Sequence, residues 1–163
     1  MGEQSTRMLS IVQDLLTLSS IESAPPPEDN VLDMAQIMDK LLRDAESLSG
    51  GRHQIVVAEA AHADLRGAES ELASAFTNLV SNAIRYTPAG GSITLRWQVD
   101  AKGAVFSVQD TGIGIEAKHI PRLTERFYRV DRGRSRDVGG TGLGLAIVKH
   151  SLGRHQAQLE ITR

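Results

Sequence analysis

Four things are scarce in this chain, and each scarcity excludes a class. There is no cysteine among the 163 residues, which rules out a disulfide framework and a thiolate metal centre and agrees with a reducing compartment. Aromatic residues make up 4%, so any core is assembled mainly from Leu, Ile, Val and Ala. Neither sign of charge dominates: 18 basic against 20 acidic residues leave a net charge of -2. That balance offers no electrostatic footprint for nucleic acid or an anionic membrane, so any anion binding is local. No apolar run approaches the ~20 residues of a membrane span, and the N-terminus lacks the apolar core of a signal peptide. The chain therefore reads as soluble, with no nucleic-acid partner and no placement in a membrane. Internal repeats and low-complexity tracts are also missing.

The length fits one domain of common size with an appended element. The first element is the amphipathic stretch from Gln4 to Glu22, in which Met8, Ile11, Val12, Leu15, Leu16, Leu18 and Ile21 recur at helical spacing. Pro25-Pro26-Pro27 ends it and sets it apart. A lone helix of this length is marginal in water, so its apolar stripe predicts a hairpin or bundle completed by another helix or another copy, or packing on the domain behind it.

Asp33 is placed to cap a second helix whose apolar face is Met34, Ile37, Met38, Leu41, Leu42, Ala45 and Leu48, with Gly50-Gly51 as its stop. Short strands follow at Gln54 to Ala58 and around Asp64 to Arg66. A third helix is predicted from Glu69 to Tyr86, ending before Thr87-Pro88. Ser92 to Val99 and Ala104 to Val108 alternate and read as a β-hairpin. Lys118 to Phe127 is weakly helical, Arg129 to Gly140 reads as a charged lid, a last helix runs from about Leu143 to Leu152, and Gln158 to Thr162 reads as a strand.

Several residues stand out as chemistry-bearing. Asn78 and Asn82 lie four apart, so both amides share one helix face, although asparagine is a poor helix former. Two neutral amide oxygens suit a hydrated divalent cation; an ordinary solvated face is the plain alternative. Arg85 and Tyr86 follow on the next turn, where a cation and a hydroxyl suit phosphate. Asp110 leaves an alternating strand into Gly112-x-Gly114, where its carboxylate can accept from an exocyclic amine such as that of adenine or simply cap its own turn. Phe127, Tyr128 and Arg129 join an apolar anchor to a guanidinium ahead of the lid. Gly139 to Leu145 then places four glycines in six positions before an apolar helix. A helix starting at Gly142 would aim its free N–H groups and positive dipole end at an anion.

Singly these features are weak; their order is specific. Asn78-Leu-Val-x-Asn82-Ala-x-x-Tyr86-Thr87-Pro88, Asp110-x-Gly112-x-Gly114-Ile115, Glu125-x-Phe127-Tyr128-Arg129 and Gly140-Thr141-Gly142-Leu143-Gly144-Leu145 resemble the four nucleotide-binding boxes of sensor histidine kinases. Within that family, residues 119–131 and 143–150 look most like the phosphate-regulon sensors. The resemblance implies an α/β fold, a two-layer sandwich of the Bergerat (GHKL) type shared with gyrase B and Hsp90, with a mixed sheet covered by helices in residues 33–163. Residues 25–32 would be a linker, and residues 1–24 one helix, the second, of the dimerisation and phosphoacceptor hairpin.

The same resemblance implies ATP and Mg2+ as cofactors. Asp110 would read the adenine amine, with Gly112, Gly114 and Ile115 beside it. Asn82 would coordinate magnesium with Asn78 nearby, and Asn78 and Arg129 would belong to the catalytic set. Arg85 and Tyr86 would meet phosphate, Arg129 would approach the γ-phosphate, and Gly140, Thr141, Gly142, Leu143 and Gly144 would shape the end of an ATP lid. The implied activity is transfer of the γ-phosphoryl of ATP to a histidine of the phosphoacceptor helix, in phosphate-starvation signalling. Implied partners are a PhoB-like response regulator and a second copy bound through residues 1–24, and the implied setting is the cytoplasmic part of a bacterial inner-membrane sensor.

Three departures qualify this. The family usually carries lysine where Arg85 stands, which keeps the charge and changes its geometry. None of the five histidines has the phosphoacceptor context, and His62 lies in a polar turn. The family continues beyond the position of Arg163 with a further strand, so a fragment at both ends is expected, one that does not label itself and has one sheet edge bare. Two other readings stand beside kinase: an ATP-hydrolysing relative, disfavoured because Asn78 occupies the position of that group's water-activating glutamate, and a module that binds nucleotide or dimerises without transfer.

Overall fold

The computed structural model describes residues 2–112, 114–128 and 142–162, with side chains from residue 8 onward. In chain order the elements are α1 (Gly2–Ser23), β1 (Asn30–Leu32), α2 (Met34–Ser49), β2 (Gln54–Ala60), β3 (Leu65–Gly67), α3 (Glu69–Tyr86), β4 (Ser92–Asp100), β5 (Gly103–Asp110), a 3-10 segment Ala117–Arg122, and the helix Gly144–Arg154, here α4. They fall into two compact units, Glu28–Gly114 and Met1–Pro27 with Ile115–Arg163.

The first unit is an α/β layer pair. β2 runs parallel to β4, and β4 pairs antiparallel with β5 in the register Ile93↔Asp110 to Asp100↔Gly103. The sheet order is β2-β4-β5, so β5 is an edge strand. Alternate residues of β4, Ile93, Leu95 and Trp97, are buried, as period-2 side chains on a one-sided sheet must be. Helices α2 and α3 cover that sheet, α2 against β2 and α3 against β5; the rings of Phe76 and Phe106 meet with centroids 4.4 Å apart. Apart from the main sheet, β1 pairs antiparallel with β3. The expected linker 25–32 thus contains a strand, whose three residues are too few to show a period.

Local signals explain the helix ends. The Asp33 carboxylate accepts from the Gln36 amide at 3.3 Å, and Gly50 closes α2 in the left-handed conformation with its N–H on Glu46, satisfying groups every helix terminus leaves over. The predicted face of α2 holds except in its last turn. There Leu48 is exposed and Ser49 is buried instead, because the Ser49 hydroxyl accepts from the His53 amide at 3.0 Å and bonds the His53 ring at 2.8 Å. α3 keeps the predicted bounds: Glu69 and Glu71 favour its N-terminal dipole, and Pro88 forces Thr87 out of the helical region.

In the second unit α1 finds a partner within the chain. Leu18 and Ile21 pack with Leu143, Ala146 and Ile147 of the α4 region, flanked by Ile11 and Leu15. Met8, Val12 and Leu16 of the same predicted stripe are exposed. Polar ties frame the contact: Glu22 pairs with Arg126, and Arg154 donates to the carbonyls of Ala24, at 3.1 Å, and Pro25. The last helix, expected from about Leu143, begins at Gly144; Gly142, considered as its start, lies instead in the left-handed region with φ 80°. One expectation is corrected here. Residues 158–162 form no ladder; their alternation is that of a strand, but no neighbouring strand accepts their backbone groups among the described residues.

Candidate functional site

The predicted site residues divide between the two units. In the first, α3 presents Asn78, Asn82, Arg85 and Tyr86, all with side chains at least partly accessible. Asn78 donates from its amide nitrogen to the Ser74 carbonyl at 2.9 Å. That back-bond to residue i−4 takes up one amide hydrogen and turns an awkward helical residue to use, while the amide oxygen stays available. The Asn82 amide makes no hydrogen bond among the described residues. Arg85 ends the helix on its dipole-favoured side.

Asp110 is the last residue of β5 and is exposed. Its Oδ1 accepts from the Gly112 amide at 2.8 Å, closing the turn after the strand. The alternatives read from the sequence, a turn cap or an amine acceptor, are therefore compatible: one carboxylate oxygen caps, and the other has no partner among the described residues. Gly112 is required by contact. A Cβ there would stand 2.6 Å from the Tyr86 carbonyl and 2.9 Å from Asp110 Oδ1, so only glycine lets this loop seat against the C-terminal end of α3. Register places the loop, since Ile93 pairs with Asp110 and the Ser92 amide donates to Thr111 Oγ1 at 3.0 Å. The structure thus brings the Asp110 turn onto the helix that carries both asparagines. Gly114, at the end of this unit, has φ 76°.

In the second unit lie Ile115, half-buried, and the Gly142–Gly144 entry to α4, where Leu143 is fully buried. The Phe127 amide donates to the Gly142 carbonyl at 2.8 Å, and Phe127 holds φ 63°. Tyr128 hydrogen-bonds the His119 ring through its hydroxyl, and the Arg122 guanidinium lies 4.4 Å above the Tyr128 ring. Arg129, Gly140 and Thr141, with the rest of the expected lid, lie outside the described residues.

Sequence reasoning overlooked one group of residues. His53 Nε2 meets the Thr87 carbonyl at 2.6 Å, and its other ring nitrogen meets Ser49. Because a carbonyl only accepts, Nε2 carries the proton and Nδ1 accepts from the serine hydroxyl. The end of α2 is thereby tied to the residue that ends α3, next to Gly112. A histidine after a helix-stopping Gly-Gly carries no periodic signal that would have revealed this.

Residues 67–163 match the family of histidine kinase-, DNA gyrase B- and HSP90-like ATPases. The chain belongs to that family. Among the curated members similar to this ATPase-family chain, the phosphate regulon sensor protein PhoR of Pseudomonas aeruginosa is 52% identical over 99% of this chain, and PhoR of Haemophilus influenzae is 40% identical over 99%. The chain spans 37% and 38% of the length of those two relatives. A solved full-length ShkA in complex with AMPPNP superposes with a TM-score of 0.76 at 25% identity, over 93% of this chain and 32% of that one. The histidine-kinase type of α/β sandwich expected from the sequence is the fold observed.

Proposed function

We propose that this chain is the ATP-binding catalytic domain of a sensor histidine kinase, presenting the γ-phosphoryl of magnesium-ATP to a histidine carried outside the described site. The observation that carries the reading is the seating of the Asp110 turn on α3: Gly112 against the Tyr86 carbonyl, with one Asp110 oxygen spent on the turn and the other open to an exocyclic amine. A base held there would extend its phosphates along the helix that bears Asn82, Asn78, Arg85 and Tyr86. The AMPPNP complex of ShkA supports a nucleotide in a fold of this kind.

The residues present fit magnesium in one particular way. No group of three or more His, Cys, Asp or Glu side chains is placed to hold a metal among the described residues. Asn82, with its unpartnered amide, and Asn78, through its oxygen, supply neutral hard donors of the kind that complete a coordination shell already charged by phosphates. When bound, the ion would neutralise charge on the phosphates. The chain's own part is positioning: Asp110 would fix the base and Arg85 would add charge near the phosphates, and by the resemblance Arg129 and Gly140 to Gly144 would belong to the same nucleotide site. No general base is assigned, and an amide at Asn78 cannot activate water at pH 7, which disfavours simple hydrolysis.

The PhoR names of two relatives support a place in phosphate-starvation signalling with a PhoB-like response regulator, as the cytoplasmic part of an inner-membrane sensor. No described helix is long and apolar enough to cross a membrane. Exposed Met8, Leu9, Val12 and Leu16 on α1 suit a homodimer through residues 1–24.

Calorimetric titration of ATP with Mg2+ into the chain and into Asp110→Asn tests the reading. The parent should bind and the variant should bind at least 10-fold more weakly, because the retained oxygen caps the turn and an amide N–H group then faces the amine. Radiolabel should pass to an added acceptor-helix fragment and not remain on the chain alone. A parent that takes up no ATP overturns the proposal; binding without transfer leaves the nucleotide module as the function.

A further inference from the structure

Thr87 ends α3 and is 4% exposed, yet its hydroxyl has no hydrogen-bond partner among the described residues. Buried hydroxyls are nearly always paired, since an unmade bond costs the full desolvation of the group. The rest of Thr87 is closely packed. Its methyl group lies against Gly91, where even a Cβ on that glycine would collide with it. Its carbonyl is held by His53 Nε2 at 2.6 Å, and His53 is held in turn by Ser49. The hydroxyl lies on the Gly112 side: a Cβ on that glycine would stand 3.2 Å from Thr87 Oγ1 and 2.9 Å from Asp110 Oδ1. Two side-chain oxygens thus flank one face of the same loop, one satisfied by the turn and one not. The neighbouring Thr111 shows the difference, because its hydroxyl oxygen is occupied by the Ser92 amide.

We propose that the Thr87 hydroxyl is a base-recognition group of the nucleotide site, without a partner among the described residues and given one by the bound purine edge, directly or through one water. The inference rests on the nucleotide reading above and adds a second polar reader beside Asp110. A valine would fill the same volume with no orphaned hydroxyl, so packing alone gives threonine no advantage here. A ligand that supplies the missing partner does, at the cost of stability in the free state.

The experiment compares Thr87→Val and Thr87→Ser by thermal unfolding without nucleotide and by calorimetric titration with Mg-ATP and Mg-ADP. Thr87→Val should unfold at the same temperature as the parent or higher, and should bind both nucleotides about 3- to 10-fold more weakly by a common factor, since the base and not the γ-phosphate is read. Thr87→Ser, which keeps the hydroxyl, should stay within about 2-fold of the parent in affinity. If Thr87→Val does not fold, Thr87→Ala removes the hydroxyl in its place and is judged against Thr87→Ser in the same way. Parent-like affinity in the hydroxyl-free variant, or equal weakening in both variants, overturns the inference while Asp110→Asn still reports on the nucleotide reading. Absence of binding in the parent itself overturns both.

Discussion

The backbone N–H of Phe127 donates to the carbonyl of Gly142 at 2.8 Å, and both residues hold positive φ, 63° and 80°. One is a glycine, for which this is ordinary; the other is a bulky residue that pays roughly 1 to 2 kcal/mol for it. Phe127 is also 48% exposed, so its side chain returns little by burial. Phe127→Asn, which tolerates this conformation, should leave unfolding stability unchanged or raise it by up to about 1 kcal/mol. Gly142→Ala should lower it by about 1 to 2 kcal/mol. Denaturant titration measures both, and an alanine variant as stable as the parent would contradict the left-handed assignment at Gly142.

Gly112→Ala tests the seating of the Asp110 loop. The new methyl would lie 2.6 Å from a backbone carbonyl and 2.9 Å from the carboxylate that caps the turn, and a carbonyl at a helix end cannot swing aside as a flexible side chain can. The loop must lift from α3. Expected are a loss of about 1 to 3 kcal/mol in stability and a fall in ATP affinity larger than that of Thr87→Val. Parent-like binding in the alanine variant would place the adenine reader somewhere other than this turn.

The elements legible in the sequence were those with a local cause. α3 appeared at its true bounds because its apolar period and Pro88 both lie within one window, and the cap of α2 was visible as Asp33 ahead of an amphipathic run. What failed depended on distant partners. β1 is a strand only because β3 pairs with it, and residues 158–162 carry a strand pattern without a strand to join among the described residues. The stripe of α1 was clear, but which half of it would be covered depended on Leu143, Ala146 and Ile147, more than 120 residues away. At the site, the residue types and their order were readable, whereas the His53 tie and the orphaned Thr87 hydroxyl arise from packing between elements and leave no period or spacing behind.

The cap of α2 gives a prediction confined to stability. Asp33 accepts the Gln36 amide from an exposed position, so Asp33→Ala should cost about 1 kcal/mol, and Asp33→Asn or Asp33→Ser should recover most of it. ATP affinity should not change in any of these variants, because the cap touches none of the residues that face the nucleotide. An affinity change that tracked the loss of the cap would mean that α2 and the site are coupled through Ser49 and His53.

Leu16 and Leu18 sit two residues apart on α1 and should behave in opposite ways. Leu18 is fully buried against the α4 region and Leu16 is 63% exposed. Leu18→Ala should lower stability by about 2 to 5 kcal/mol, the usual cost of truncating a core leucine. Leu16→Ala should change monomer stability by less than about 0.5 kcal/mol. If Met8, Val12 and Leu16 form a dimer surface, then Leu16→Glu should shift the mass measured by light scattering toward the monomer, while the unfolding of dilute samples stays as in the parent. Concentration must be varied, because a dimer links its apparent stability to the amount of protein present. A parent chain that stays monomeric at high concentration would remove the dimer from the proposal and leave the exposed stripe to a different helix, with the α1–α4 contact unaffected.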